Sequence, residues 1–149
     1  MAELKLIAHR GNINGPDPRE NTYNYMYNAW GAGYDIEVDL HGHRGLLYFG
    51  HDEPGEVANT NFIQQEGVWC HAKNLEAVEL LERMRVHYFW HQTDDITITS
   101  KGYYWCYPGI MYKNNKSIWL DFGDHTFPDD LSGIHGICSD YLTKYKNNI

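Results

Sequence analysis

The 149-residue sequence has few cysteines, few basic residues and no long hydrophobic run. Its three cysteines, Cys70, Cys106 and Cys138, are widely spaced and form no Cys-x-x-Cys motif, so they indicate neither a disulfide framework nor a zinc knuckle. They favour a reducing, cytoplasmic location. The apolar run at 4–8 is too short for a signal peptide, and no stretch approaches the roughly 18 apolar residues of a membrane span.

Positive charge is also scarce, because 12 lysines and arginines face 20 acidic residues and the net charge is −8. Such a surface repels nucleic acid and anionic membranes at long range, so we expect neither as a partner. A single cleft can still be positive, because net charge does not describe one pocket. The sequence favours no particular oligomeric state.

Hydrophobic residues make up 42% of the chain and aromatic residues 15%, which is typical of a globular protein. The sequence contains no internal repeat and no low-complexity block. Its length fits one domain over 1–149, and a domain of this size buries roughly two-thirds of its unfolded surface.

The first half of the chain alternates between strand and helix patterns. Apolar residues predict a strand at 4–8 and a helix at 22–32 that Gly33 ends. Period-2 alternation predicts a strand at 35–40, which a turn at 42–45 joins to a strand at 46–49. A loop with one helical turn, a strand at 68–73 and a helix at 75–84 capped by Asn74 follow.

The second half shows short strands with gaps that are too short for crossover helices, except around 124–133. The strands are predicted at 86–91, 96–99, 103–107, 117–121 and 136–139. Alternation of this kind favours an α/β fold with parallel strands. Since a full (β/α)₈ barrel typically needs about 250 residues, we expect a trimmed or distorted TIM-type barrel that lacks some helices in its C-terminal half.

Charged side chains follow the predicted strands at the points where the strands end. In an α/β barrel these strand ends converge on one pocket. Residues at i and i+2 share one face of a strand, so paired residues reach the same site. The residues concerned are His9, Arg10, Glu37, Asp39, His51, Asp52, His71, Lys73 and His91.

This set of side chains suits the hydrolysis of a phosphodiester. Arg10 can hold phosphoryl oxygens, and Glu37 and Asp39 are hard oxygen ligands for Mg²⁺ or Ca²⁺. Two histidines can divide general acid and general base work, since imidazole titrates near neutral pH. The bound ion would neutralise charge in the transition state.

Four short motifs in order resemble the glycerophosphodiester phosphodiesterase family of the phospholipase C-like superfamily. They are His9-Arg10-Gly11, Glu20-Asn21-Thr22, Glu37-Val38-Asp39 and His51-Asp52, within the first third of the chain. The resemblance implies a TIM-type barrel and a divalent metal on Glu37 and Asp39. It also implies His9 and His51 as the acid–base pair and Arg10 on the phosphate of a small phosphodiester substrate.

The chain departs from the family at the next strand, where His71-Ala72-Lys73 stands in place of a glutamate followed by x-Lys. Lys73 fits the pattern as a catalytic cation. His71 is either a metal ligand or a buried histidine bonded to a carbonyl, and as a ligand it favours Mn²⁺, Zn²⁺ or Fe²⁺ over Ca²⁺. The C-terminal half is shortened, so the resemblance does not name the substrate.

Two other functions fit the same sequence. One is a phosphoester-binding module that keeps Arg10 and Lys73 but has lost turnover. The other is a different metal-dependent lyase or hydrolase on the same scaffold.

Several further residues are candidates for the site. His91 is either close to the site or part of the core. His41 and His43 resemble a metal-binding pair, but their Gly- and Arg-containing turn favours a solvated loop. Asp121 and Asp140 end late strands and are candidates to face the pocket.

Overall fold

The computed structural model describes residues 3–123 and 126–148, and in these ranges the chain forms strands, three α-helices and a 3₁₀ helix. The strands are β1 (Lys5–His9), β2 (Asp35–His43), β3 (Leu46–Phe49), β4 (Val68–Ala72), β5 (Tyr88–Phe89), β6 (Ile96–Ile98), β7 (Tyr104–Cys106), β8 (Ser117–Asp121) and β9 (Gly136–Ser139). The helices are α1 (Tyr23–Gly31), α2 (Thr60–Ile63) and α3 (Leu75–Met84), and the 3₁₀ helix is Leu142–Asn148.

The strands form one sheet in the order β5-β4-β2-β1-β9-β8-β7-β6, with β3 paired to β2 outside this path. Neighbours are parallel except for the β6–β7 and β2–β3 pairs. The two ends of the sheet meet where the Ser100 N–H donates to the Tyr88 carbonyl at 2.8 Å. The predicted α/β class is therefore confirmed as a mixed α/β chain with a nearly closed, mostly parallel, barrel-like sheet.

Strand β2 shows how the sheet separates its two faces. Ile36, Val38 and Leu40 belong to the larger apolar core, which also contains Met26 of α1 and Leu81 of α3. The alternate residues point to the other face because side chains alternate along a strand. That alternation places the carboxylates of β2 inside the barrel.

A second apolar cluster fills part of the barrel interior. Trp105 of β7 stacks on Phe89 of β5, with ring centroids 4.4 Å apart, and Trp69 of β4 lies 5.6 Å from Trp105. The cluster contains Ile7, Trp69, Phe89, Trp105, Ile118, Leu120 and Cys138. This apolar cluster leaves an open cavity at the carboxyl ends of the parallel strands.

The helices of the first half form where the sequence predicts them. The Asn74 side chain accepts a hydrogen bond from the Ala77 N–H and caps α3, and Gly33 follows α1 with φ +103°. The predicted helical turn is α2. The suggested crossover helix around 124–133 is wrong for 126–133, which form no helix, and its residues 124–125 lie outside the described residues.

Strand β2 is longer than predicted and continues through His43. The turn consists of Arg44 and Gly45, which both have positive φ, as in the tight hairpins that match the twist of a sheet. The expected solvated loop is therefore wrong, because His41 and His43 lie in a strand. His41 is bonded through Nε2 to the carbonyl of His51 at 2.9 Å.

The part of the chain that is described contains no helix long and apolar enough to cross a membrane.

Candidate functional site

A cavity of about 640 Å³ opens at the carboxyl ends of the barrel strands. The structure brings together in its wall most of the residues that the sequence predicts for the site, namely His9, Arg10, Glu37, Asp39, His51, His71 and Lys73. Asp52, which the sequence also places there, is 91% exposed and does not line the cavity. Their roles stay predictions, but the shared location of those at β1, β2 and β4 follows from the parallel register. His51 joins them from the segment after the antiparallel β3. The rest of the wall is made by His91, Gln92, Thr93, Trp105, Tyr107, Pro108, Leu120, Phe122 and Asp140.

Glu37, Asp39 and His71 form a group that can hold a metal ion, with one ligand atom from each within 4.8 Å of the others. Asp39 of β2 is paired directly with His71 of β4, so both side chains leave the sheet on the same face. His71 Nδ1 lies 3.3 Å from Asp39 Oδ1 and 3.4 Å from Glu37 Oε2. Both carboxylates are 1% exposed, which makes them costly to bury without a cation.

The tautomer of His71 is set by a backbone carbonyl. His71 Nε2 lies 2.9 Å from the carbonyl oxygen of His91, which only accepts, so Nε2 carries a hydrogen and donates it. Neutral His71 therefore presents the Nδ1 lone pair to Glu37 and Asp39. The carbonyl bond, one of the two alternatives drawn from the sequence, is therefore present. The same ring also faces the carboxylates, so a role of His71 as a metal ligand stays a prediction.

Without an ion, a proton on His71 supplies the compensating charge. Burial lowers the pKa of His71, but its close contacts with Asp39 and Glu37 and their negative charges outweigh burial and raise the pKa to about 9. Burial raises the pKa of Asp39, yet His71, Arg10 and Asn21 together hold it well below its usual range.

Asn21 and Arg10 fix the position of the Asp39 carboxylate through its Oδ2 oxygen. Asn21 donates from Nδ2 to Asp39 Oδ2 at 3.0 Å and accepts the Asp39 N–H at 3.1 Å. Arg10 Nε also lies 3.0 Å from Asp39 Oδ2. Oδ1, the oxygen toward His71, is buried and makes no well-oriented hydrogen bond to any described residue.

These observations fit a divalent ion. Two carboxylates and an imidazole nitrogen converge on one point, and one carboxylate oxygen there, Asp39 Oδ1, has no well-oriented hydrogen bond within the described part of the chain. This donor set suits Mn²⁺, Zn²⁺ or Fe²⁺ better than an all-oxygen site does, whereas Mg²⁺ and Ca²⁺ prefer oxygen alone.

His9 lies beside this group and is oriented by a carboxylate. Its Nδ1 is 2.8 Å from Asp140 Oδ1, and its Nε2 is 3.9 Å from Glu37 Oε1. Its ring packs on Phe122 with centroids 4.2 Å apart. Burial lowers the pKa of His9, but Asp140 and Glu37 overcome burial and raise the pKa above its ordinary value.

Arg10 is more constrained than the sequence predicts. Its Nη1 donates to Glu20 at 3.0 Å and its Nε faces Asp39, so part of the guanidinium is already used. Arg10 still lines the cavity. Lys73 follows β4 on the same wall, and no carboxylate within residues 3–123 and 126–148 forms an ion pair with it.

His51 stands at the cavity rim, with 38% of its side chain exposed. Its Nδ1 lies 2.7 Å from Asp52 Oδ1, so it is also oriented by a carboxylate. In both His51 and His9, Nδ1 therefore lies against a carboxylate, although Asp52 is 91% exposed whereas Asp140 is buried.

Sequence reasoning missed a buried asparagine that links two motifs. Asn12 is fully buried, donates to Glu20 Oε2 at 2.8 Å and to Asp140 Oδ1 at 2.9 Å, and accepts from the Tyr25 hydroxyl. The sequence feature that could have identified Asn12 is its position directly after His9-Arg10-Gly11.

Of the two aspartates that end strands in the second half of the chain, Asp140 and Asp121, only one faces the cavity. Asp140 faces the cavity, as the sequence allows. Asp121 does not, since it accepts from the Tyr145 hydroxyl and pairs with Lys144 behind the sheet. Side chains alternate on β8, and Leu120 rather than Asp121 points inward.

Comparison of the chain with protein-family models, with curated proteins and with solved structures finds no match.

Proposed function

We propose that this protein is a metal-dependent phosphodiesterase that acts on a glycerophosphodiester-like substrate. The observation that carries the proposal is the single cavity in which a metal-competent Glu37, Asp39 and His71 group meets the His9–Asp140 pair. A binding site alone has no need of a carboxylate-oriented imidazole beside a cation site. The four linked motifs of the sequence point to the same chemistry.

We also interpret the sheet as a trimmed TIM-type barrel. The described strands β5, β4, β2, β1, β9, β8 and β7 run parallel in this order, and the cavity lies at their carboxyl ends. Active sites of TIM barrels lie at this end. The positions of the helices agree with a trimmed barrel. The three α-helices lie in the first half of the chain, and no helix is described between β7 and β9.

Glu37, Asp39 and His71 would hold the ion, which supplies charge neutralisation for the phosphoryl oxygens when bound. Lys73 and the free donors of Arg10 bind the phosphate through charge-assisted hydrogen bonds. Phe122 packs against His9 and excludes water from one side of its ring.

His9 and His51 carry out the two proton transfers of the reaction. Each has Nδ1 against a carboxylate, so each accepts or donates a proton at Nε2. One removes the proton of the attacking hydroxyl, which belongs to water or to the alcohol part of the substrate. The other protonates the leaving alcohol oxygen.

Hydrolysis of a phosphodiester panel tests the proposal. Purified protein is assayed on glycerophosphodiesters and aryl phosphodiesters with Mg²⁺, Ca²⁺, Mn²⁺, Zn²⁺ or EDTA. We expect turnover that requires an ion and is lost in His51→Ala, whereas His43→Ala, on the exposed end of β2, behaves as wild type. Absence of turnover with every ion, in a folded protein, contradicts the proposal.

One observation favours a second function, a phosphoester-binding module. His71 already lies against both Glu37 and Asp39, where a proton on its ring would compensate the two carboxylates without an ion. A protein of this kind binds phosphate monoesters and diesters with an affinity unaffected by EDTA. The panel and a calorimetric titration with EDTA separate the two functions.

A further inference from the structure

His91 is a buried member of the cavity wall that the proposed reaction does not use. It follows β5, is 6% exposed, and lies with its ring centroid 6.5 Å from that of His71 and 5.8 Å from that of Tyr107. It faces the same cavity as Lys73. Its side chain is therefore part of the wall around the space that a substrate would fill.

A carboxylate sets the tautomer of His91. Its Nδ1 lies 2.9 Å from Asp94 Oδ2, and the other oxygen of Asp94 accepts from the Gln92 N–H at 3.2 Å. A carboxylate only accepts, so Nδ1 carries the hydrogen and Nε2 carries the lone pair.

Nε2 of His91 is buried and has no hydrogen-bond partner among the described residues. Buried polar atoms are nearly always paired, so this acceptor needs a donor that residues 3–123 and 126–148 do not provide. The metal-competent group of Glu37, Asp39 and His71 does not include it. A hydroxyl group of a ligand in the cavity meets the requirement.

The surroundings of His91 fit the alcohol part of a phosphoester. Trp105, Tyr107 and Pro108 provide an apolar wall for a carbon skeleton, and Lys73 provides a cation for the phosphate. A ligand held by its phosphate on Lys73 would extend its alcohol along this wall toward His91.

We propose that His91, oriented by Asp94, accepts a hydrogen bond from a free hydroxyl of the substrate's alcohol and so selects polyol phosphoesters over simple alkyl ones. The identity of the phosphate end rests on the proposed function. Asp94 is a positioning residue, since it acts only through His91.

Binding of two monoesters tests the inference without turnover. Glycerol 3-phosphate and propyl phosphate differ only in two hydroxyls, and their dissociation constants are measured by calorimetry with Mn²⁺ present. We expect wild type to bind glycerol 3-phosphate at least about tenfold more tightly, because an unpaired buried acceptor penalises the propyl ester.

Three variants locate the source of this preference. His91→Phe keeps a planar ring without the acceptor and brings the ratio of the two dissociation constants to about one by weakening glycerol 3-phosphate alone. His91→Gln, whose amide oxygen can accept, keeps part of the preference. His43→Phe makes the same change on the exposed end of β2 and leaves the ratio at the wild-type value.

Equal affinities in wild type, a preference that survives His91→Phe, or no binding of either monoester overturns the inference. If His91→Phe does not fold, the ¹⁵N resonance of His91 Nε2 in wild type decides. It shifts on addition of glycerol 3-phosphate but not of propyl phosphate, and equal responses overturn the inference.

Failure of the two proposals is distinguishable. A His91-dependent binding preference without hydrolysis of any diester refutes the phosphodiesterase and leaves the polyol site standing. Metal-dependent hydrolysis of a diester without a binding preference for glycerol 3-phosphate refutes the polyol site and leaves the phosphodiesterase standing.

Discussion

At the scale of single residues, Asn21 determines where Asp39 points. Its backbone has φ +60°, a left-handed conformation that asparagine tolerates better than most residues. That conformation lets one amide both donate to the Asp39 carboxylate and accept from the Asp39 N–H. The geometry of the metal-competent group therefore depends on a residue that contributes no ligand to it.

Asn21→Gly tests this dependence, because glycine keeps the backbone conformation and removes both hydrogen bonds. We expect the free energy of unfolding to fall by about 1–3 kcal/mol in urea denaturation. Arg85→Gly is the matched control, since Arg85 also has positive φ (+57°) at the exposed end of α3. The control loses little or gains stability, and equal losses in both variants would contradict the role of Asn21.

Asp140 orients His9 across a sequence separation of 131 residues. Asp140→Asn keeps the shape of the side chain but lets the amide favour the wrong His9 tautomer. Under the proposed function we expect kcat to fall by about 10²- to 10⁴-fold with little change in KM. Asp129→Asn, at an exposed position, serves as the control, and a change confined to KM would show that Asp140 does not act through His9.

At the scale of elements, the packing of α3 on β2 is set at Gly42. The Asn74 side chain accepts the Gly42 N–H and donates to the Gly42 carbonyl, both at 2.9 Å, while it also caps α3. A Cβ at Gly42 would lie 2.6 Å from the Ala77 nitrogen. Close approach of helix and strand backbones therefore requires glycine here.

Gly42→Ala is expected to lower the free energy of unfolding by about 1–3 kcal/mol, because the backbones must move apart. Gly31→Ala is the matched control, because a Cβ on this last residue of α1 would have no atom within 4 Å. It raises stability by up to about 1 kcal/mol through helix propensity. Thermal or urea denaturation of both variants measures the difference, and a neutral Gly42→Ala would refute the close approach.

At the scale of the whole molecule, the barrel closes through polar contacts between the segments around β5 and β6. His87 Nε2 lies 2.8 Å from Thr99 Oγ1, and Thr99 Oγ1 accepts the Tyr103 N–H. His87 packs on Trp69 at 4.2 Å. Burial, with the nearby charges of Lys101 and His135, lowers the pKa of His87 to about 4.

Acid is expected to weaken this closure. His87 is neutral in both folded and unfolded chains above the unfolded pKa of roughly 6.5, so it carries no penalty there. Below that value the unfolded chain takes up the proton first, and stability falls until the pH reaches the folded pKa of about 4.

We expect this one group to remove about 2 kcal/mol of unfolding free energy between about pH 7 and about pH 5. Urea denaturation at both values, for wild type and His87→Phe, measures the difference in slope. Because other groups titrate in both proteins, the contribution of His87 is the difference between the pH dependences of their unfolding free energies. Parallel pH profiles would show that His87 titrates normally.

The sequence predicts the first half of the barrel well because its signals are local. The cap at Asn74, the stop at Gly33 and the alternation of β2 each act within a few residues. The cluster of Glu37, Asp39 and His71 follows from strand register alone.

The remainder depends on contacts distant in sequence. The bond between His9 and Asp140, the antiparallel β6 and the outward turn of Asp121 toward Tyr145 are set by the closure of the sheet. β5 is limited to Tyr88–Phe89, shorter than the apolar run at 86–91, because only these two residues pair with β4, at Cys70 and His71. No local pattern encodes these contacts.

The most direct test of the account is the metal dependence of phosphodiester hydrolysis in wild type and His71→Glu. We predict that wild type requires an ion, prefers Mn²⁺ or Zn²⁺, and loses activity in EDTA. His71→Glu, with three carboxylates, shifts the preference toward Mg²⁺ or Ca²⁺ by about tenfold or more. Glu79→Gln on the exposed face of α3 changes neither property. Hydrolysis that is indifferent to the ion and to His71 would contradict the assignment of Glu37, Asp39 and His71 as the metal site.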